Sequence, residues 1–138
     1  MEIKEYATVC QEEMEIRNTV FVEEQGFTEE LDYIDDIAIH LIMYDGEKAV
    51  GVCRIYDEDN TGEYHVGRVA VLKEYRGKGV GKAIMDVALK KIKALGGSVA
   101  ILSAQKRVQG FYESCGYVFT GKEYKEQGCP HVEMKRDI

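Results

Sequence analysis

Residues 66–85 read VGRVAVLKEYRGKGVGKAIM: a β-rich run, a basic turn with three glycines, and the opening of a helical pattern. Val80, Ile84, Ala88, Ile92 and Leu95 recur at helical spacing, and Gly96-Gly97 is a stop signal. A strand that feeds through glycines into a helix leaves unpaired backbone N–H groups at the positive end of the helix dipole. That is an anion site. Glycine lets the backbone approach a phosphate closely, while Arg76, Lys78 and Lys82 add positive charge. A plain glycine-rich surface turn would look the same from the pattern alone. Two familiar phosphate motifs do not fit. A P-loop needs four residues between its first glycine and the Gly-Lys pair, but Gly77 to Gly81 leaves three, and Ala83 stands where a magnesium-binding Ser or Thr belongs. A dinucleotide fingerprint needs a glycine where Lys82 stands.

Working outward, residues 2–7 predict a strand, and Thr8 with Gln11 predicts a capping box for a helix to about Glu24, closed by Gly26. Residues 28–36 predict a short, acidic helical turn or loop. Ile37–Tyr44 and Ala49–Tyr56 predict two antiparallel strands joined through Asp45-Gly46, and Tyr64–Leu72 a third. The apolar run Ser98–Ala104 suits a buried parallel strand, Val108–Cys115 a short helix, and Tyr117–Thr120 and His131–Lys135 two final strands. The sum is an α/β domain around a mixed sheet.

The 138 residues are enough for one domain, taken as 1–138, with one core. No stretch is apolar enough to span a bilayer, and MEIKEYATVC lacks the basic and apolar regions of a signal peptide, so a cytoplasmic protein without membrane association is expected. Cys10, Cys53, Cys115 and Cys129 form no CxxC pair and are expected as free thiols. The net charge of −7 argues against a nucleic-acid partner. Residues 1–40 carry twelve Asp or Glu against Lys4 and Arg17, whereas residues 73–107 carry nine Lys or Arg against Glu74 and Asp86. Either these are ordinary solvated faces, or one end attracts cations and the other a polyanion.

The segment quoted first resembles the signature region of the GNAT superfamily of acetyl-CoA-dependent N-acetyltransferases: Arg or Gln, two residues, Gly, one residue, Gly or Ala. Arg76, Gly79 and Gly81 match it. FYESCGY at 111–117 is similar to the family's FYexxGF helix, and GCPHVEM at 128–134 resembles small bacterial members whose last strand begins with Pro-His. The resemblance implies a GNAT-like fold, a mixed and mostly antiparallel β-sheet flanked by helices. It implies acetyl-CoA as co-substrate, no metal, and a small-molecule or peptide amine as acceptor. The amides from Arg76 through Gly77, Lys78, Gly79 and Val80 to Gly81, with Lys82, would hold the CoA pyrophosphate. The strand edge at Val69, Ala70 and Val71 would pair with the pantetheine arm as a peptide adds to a sheet. Many relatives carry Asn where this chain has Gln105, which puts a pantetheine contact there in doubt. Tyr112 matches the tyrosine that protonates the departing thiolate, while Phe111 is taken as core.

The general base is less fixed, because family members differ. His131 is the first choice, since a histidine titrates near neutrality, and a structural histidine is the alternative. Glu23, Glu24 and His65 follow. Arg17 and Arg54 are candidates for an acidic group on the acceptor. A steering field for cationic amines is assigned to Glu23, Glu24, Glu29, Glu30, Asp32, Asp35 and Asp36. Two other classes stay open, a non-catalytic acyl-CoA sensor and an interaction module. The sequence fixes neither the acceptor nor whether the chain is a monomer or a homodimer.

Overall fold

A computed structural model describes residues 1–28 and 31–138. The described residues build β1 (Glu2–Tyr6), α1 (Gln11–Arg17), a π-helical continuation (Asn18–Glu24), α2 (Tyr33–Ile37), β2 (Ile39–Asp45), β3 (Lys48–Tyr56) and β4 (Glu63–Val71). Then come α3 (Val80–Ala94), β5 (Val99–Gln105), α4 (Gln109–Ser114), β6 (Val118–Glu126) and β7 (Cys129–Asp137). They form a seven-stranded sheet in the order β1-β2-β3-β4-β5-β7-β6, antiparallel except for β4 beside β5. The mixed, mostly antiparallel sheet flanked by helices is the architecture expected.

Alternation along the strands divides the core into two layers. Leu41 and Met43 of β2 face α3, whose Val80, Ile84, Met85, Ala88 and Ile92 are all buried. Ile42 and Tyr44 face the other way, toward Ile16 and Val20 of the first helix. β4 breaks this rule. Val66 lies in the α3 layer and Ala70 in the α1 layer, although four residues apart on a regular strand share a face. The register against β3 shifts between Val52 and Arg54, and Arg68 sits at φ +50, so a bulge inserts the residue that inverts the parity.

Three expectations change. Thr8 does not cap α1; Cys10 holds the N-cap position with no side-chain bond. The capping box lies instead at α2, where the Asp32 side chain accepts from Asp35 N at 3.2 Å and the Asp35 side chain accepts from Asp32 N at 3.3 Å. In the β2–β3 hairpin the two central residues are Gly46 and Glu47, with Asp45 paired to Lys48, and Gly46 supplies the positive φ of +62. The last two strands are each nine residues long because Gln127 (φ +48) and Gly128 (φ +75) form a tight two-residue hairpin turn. β6 is an edge strand whose residues are almost all exposed, so no apolar alternation announces it. All four cysteines are free thiols. No described helix is long and apolar enough to cross a membrane.

Candidate active site

The site opens where the sheet divides. β4 pairs with β5 only from Glu63 to Val66, and beyond the bulge the two strands part, with β5 continuing along β7 to the pair Gln105–His131. One edge of Gly67–Val71 still pairs with β3 and the other faces a cavity of about 560 Å³. A free strand edge presents alternating N–H and C=O groups to an amide-bearing ligand. Val69, Ala70 and Val71 all line this cavity.

At the mouth of the splay stands the N-terminus of α3. Gly79 is its N-cap at φ +82, and Gly77 lies at φ +74, conformations that L side chains resist. A Cβ at either position would meet nothing within 4 Å, so it is the backbone conformation that favours glycine there. Gly81 is restricted by space, since a Cβ there would lie 3.2 Å from the Phe111 ring. The first amides of a helix have no intrahelical acceptor, and those after Gly79 border the cavity. Arg76, Gly77, Gly79, Val80, Gly81 and Lys82 line it; Lys78 does not, its ammonium lying over the Tyr75 ring at 5.6 Å. Arg76 is oriented by two contacts, Nε donating to the Val71 carbonyl at 3.0 Å and Nη2 to Glu24 at 2.6 Å. Arg107 adds another cation to the wall. This cradle of amides and cations fits a diphosphate.

Tyr112 and His131 border the same cavity from α4 and β7. Tyr112 is 9% exposed, with its ring edge-on to Phe111 at 5.0 Å and to Tyr117 at 6.3 Å. Burial raises its phenol well above the ordinary value, so it stays protonated at any physiological pH. His131 is 7% exposed, and Nδ1 lies 2.8 Å from the Cys129 carbonyl. A carbonyl only accepts, so Nδ1 carries the hydrogen and Nε2 is left with the lone pair. Gln105 lines the cavity with its carboxamide engaged, Nε2 donating to Gln25 at 2.8 Å and Oε1 accepting from Arg107 at 3.0 Å.

The remaining candidates lie elsewhere. His65 stacks on Tyr56 and is not among the lining residues. Glu23 is exposed away from the lining, and Glu24 is tied to Arg76. Arg17 and Arg54 are buried and chelate carboxylates, so neither reaches an acceptor. Arg68 is the arginine that β4 brings to the cavity, with Nη2 3.7 Å from Asp32. Glu29 and Glu30 lie outside the described residues. Sequence reasoning missed Glu126, Ser103 and Tyr124 around His131. The Gln127-Gly128 turn was the available signal, because it sets Glu126 opposite Cys129 and Tyr124 opposite His131.

Glu13, Asp35 and His40 also bring ligand-type atoms within 4.8 Å of one another. Three of their four carboxylate oxygens are taken by guanidinium groups: Asp35 Oδ1 accepts from Arg17 and Arg54 at 2.9 Å each, Asp35 Oδ2 from Arg17 at 3.2 Å and Glu13 Oε2 from Arg17 at 3.0 Å, while Glu13 Oε1 faces His40 Nδ1 at 2.9 Å. His40 faces two acceptors, Nε2 at 2.9 Å from the Asp35 carbonyl and Nδ1 at 3.0 Å from Glu13, so both ring nitrogens must donate and the ring is an imidazolium. With Asp32, three carboxylates balance Arg17, Arg54 and His40. The cluster is a buried ionic frame under α1 and α2.

Comparison with known proteins agrees with this geometry. Residues 5–138 match the acetyltransferase (GNAT) domain family. The chain belongs to that family. YjcF of Bacillus subtilis, described as an uncharacterized N-acetyltransferase, is 41% identical over 126 residues, covering 88% of each chain. The crystal structure of Escherichia coli ElaA superposes with a TM-score of 0.87 at 27% identity and 99% coverage of both chains. An acyl-CoA N-acyltransferase from Pseudomonas aeruginosa gives 0.86 at 26% identity, again with 99% coverage of both. The protein is therefore an acetyltransferase of the GNAT type.

Proposed function

We propose that this acetyltransferase moves an acetyl group from acetyl-CoA to a primary amine of a small molecule or peptide, by direct attack within a ternary complex. One observation carries the reading: the glycine-capped amides, the free edge of β4, and Tyr112 and His131 all converge on one cavity. The name of the Pseudomonas aeruginosa structure, an acyl-CoA N-acyltransferase, is in keeping with a CoA thioester donor. The α3 N-terminus, Arg76 and Lys82 would take the diphosphate, and Val69–Val71 the amide-bearing arm. When bound, the donor supplies the activated carbonyl.

Transfer to an amine requires a neutral nucleophile, a polarised carbonyl and a proton for the departing thiolate. As the N–C bond forms and the C–S bond breaks, His131 Nε2 receives the amine's proton and the Tyr112 hydroxyl gives one to sulfur. An N–H on the free edge of β4 near Val71 polarises the carbonyl. The proton held on the imidazole leaves to solvent, and the phenol regains one from solvent, so the turnover balances.

Calorimetric titration with acetyl-CoA, followed by thiol release across an amine panel, tests the reading. Binding with turnover is expected. Binding without turnover on any amine would make the protein an acyl-CoA sensor, and no binding would make it an interaction module. For the base, kcat/KM should rise with pH through an ionisation of the free enzyme, and His131→Ala should remove that limb. An unaltered profile at full rate places the base elsewhere.

A further inference from the structure

Beside His131 stands a carboxylate that the reading so far leaves unused. Glu126, the last residue of β6, lines the cavity and brings Oε2 to 3.6 Å from His131 Nε2. Its other oxygen is fixed: Oε1 accepts from the Ser103 hydroxyl of β5 at 3.2 Å, and Ser103 Oγ in turn accepts from the Tyr124 hydroxyl. The Tyr124 ring stacks on the imidazole, with centroids 6.3 Å apart and planes 20° from parallel. Three strands thus hold one carboxylate against one ring nitrogen.

The tautomer gives this placement its meaning. With the hydrogen on Nδ1 committed to the Cys129 carbonyl, the neutral ring turns its lone pair toward Glu126, and at 3.6 Å there is no hydrogen bond. Arrival of a proton at Nε2 converts that facing pair into an imidazolium against a carboxylate, an attraction that exists only after proton transfer. An interaction made late in a reaction raises kcat without tightening substrate binding. The Glu126 side chain is 54% exposed, so the proton has a direct exit to water.

We propose that Glu126 is the positioning residue of the base: it stabilises His131 in the protonated form created by amine attack and hands that proton to solvent. This rests on His131 being the base. The Ser103–Tyr124 pair keeps the carboxylate in place, and the tight turn at Gln127-Gly128 sets its register against β7.

A double-mutant cycle separates this inference from the reading beneath it. With acetyl-CoA and an accepted amine, His131→Gln should lower kcat by about 10²-fold and Glu126→Gln by about tenfold, with KM for acetyl-CoA unchanged. In the His131→Gln background, adding Glu126→Gln should cost less than about twofold, because a residue acting through His131 has nothing left to act on. Equal losses in both backgrounds overturn the inference and leave His131 as the base. So does a fully active Glu126→Gln beside an impaired His131→Gln. A fully active His131→Gln removes the base and the inference together. Glu126 is largely in solvent, so the melting temperature should hold; if Glu126→Gln shifts it, Glu126→Ala replaces it in the same cycle with the same outcomes.

Discussion

Replacing Tyr112 by Phe separates chemistry from architecture, because its ring packs in the core while its hydroxyl is the proposed acid. The ring packs between Phe111 and Tyr117, and Phe keeps all of that contact. No described residue hydrogen-bonds the hydroxyl, so its removal strands no partner. Stability should change by no more than about 0.5 kcal/mol. With an unfolding entropy of roughly 2 cal/mol/K per residue, that is about 2 °C in melting temperature for a chain of this length. The donor's binding surface is equally untouched, so calorimetry should give the same acetyl-CoA affinity. Catalysis should behave differently. A positioned acid contributes on the order of 10²-fold, or ~2.7 kcal/mol of transition-state stabilisation, and Phe forfeits it. Burial raises the wild-type phenol far above neutrality, so the ratio of wild-type to variant rates should stay constant from pH 6 to 9. Thiol release at saturating acetyl-CoA, with a single-turnover experiment to establish that chemistry limits the rate, measures the effect. Equal kcat under those conditions would return Tyr112 to the hydrophobic core and leave the thiolate protonated by water.

Gly79→Asp places a carboxylate at the head of α3 in a left-handed conformation that Asp tolerates better than most residues, with no atom within 4 Å of the new Cβ. The fold should survive while acetyl-CoA affinity falls at least about 30-fold, or ~2 kcal/mol; unchanged affinity would move the diphosphate elsewhere. Asp35→Ala removes the carboxylate shared by Arg17 and Arg54, and breaking such a buried pair costs about 3–5 kcal/mol, so the melting temperature should drop roughly 10–17 °C. A drop under about 3 °C would mean that the cluster adds little to stability. Burial opposes charge on His40, but Glu13 and the Asp35 carbonyl outweigh it and raise the ring above its ordinary 6.5. A raised histidine stabilises fully below the unfolded value and loses that contribution as pH climbs through the folded one, so the melting temperature should fall from about pH 6.5 upward and His40→Gln should flatten the fall. A wild-type melting temperature constant from pH 6 to 9 contradicts the imidazolium.

The parts of this molecule legible in its sequence are those where a local signal and its consequence sit on the same segment. The helical spacing from Val80 to Ile92, the glycines at its head and the Gly96-Gly97 stop needed no tertiary partner to be read. Nine of the cavity's lining residues, between Val69 and Lys82, were visible for the same reason, because the glycine turn and the strand before it are contiguous. What escaped depends on pairing between distant segments. The bulge at Arg68 leaves no mark in VGRVAV, yet it parts β4 from β5 and creates the cavity. β6 reads as a polar run because an edge strand exposed on both faces has no periodicity to show. Glu126 became a site residue only through its register with β7. Lys78, by contrast, has the right charge in the right segment, and only the direction of its side chain removes it.

The acidic N-terminal segment changes meaning once its partners are known. Its charge suggested a long-range field that draws cationic amines, and that field requires the carboxylates to face solvent. Glu13 and Asp35 are buried against Arg17, Arg54 and His40, Asp32 is bound to Arg54, and Glu24 closes on Arg76. Charges neutralised at under 3.3 Å contribute little beyond a Debye length of about 8 Å. These four carboxylates therefore do their electrostatic work inward, fixing α1 and α2 against the sheet and orienting Arg76, while Glu23 and Asp36 stay exposed. The charged groups lining the cavity act at short range: Glu126 stands there with Arg68, Arg76, Lys82 and Arg107. Changes in salt should accordingly move kcat/KM less than substitutions at Glu126 or Arg68.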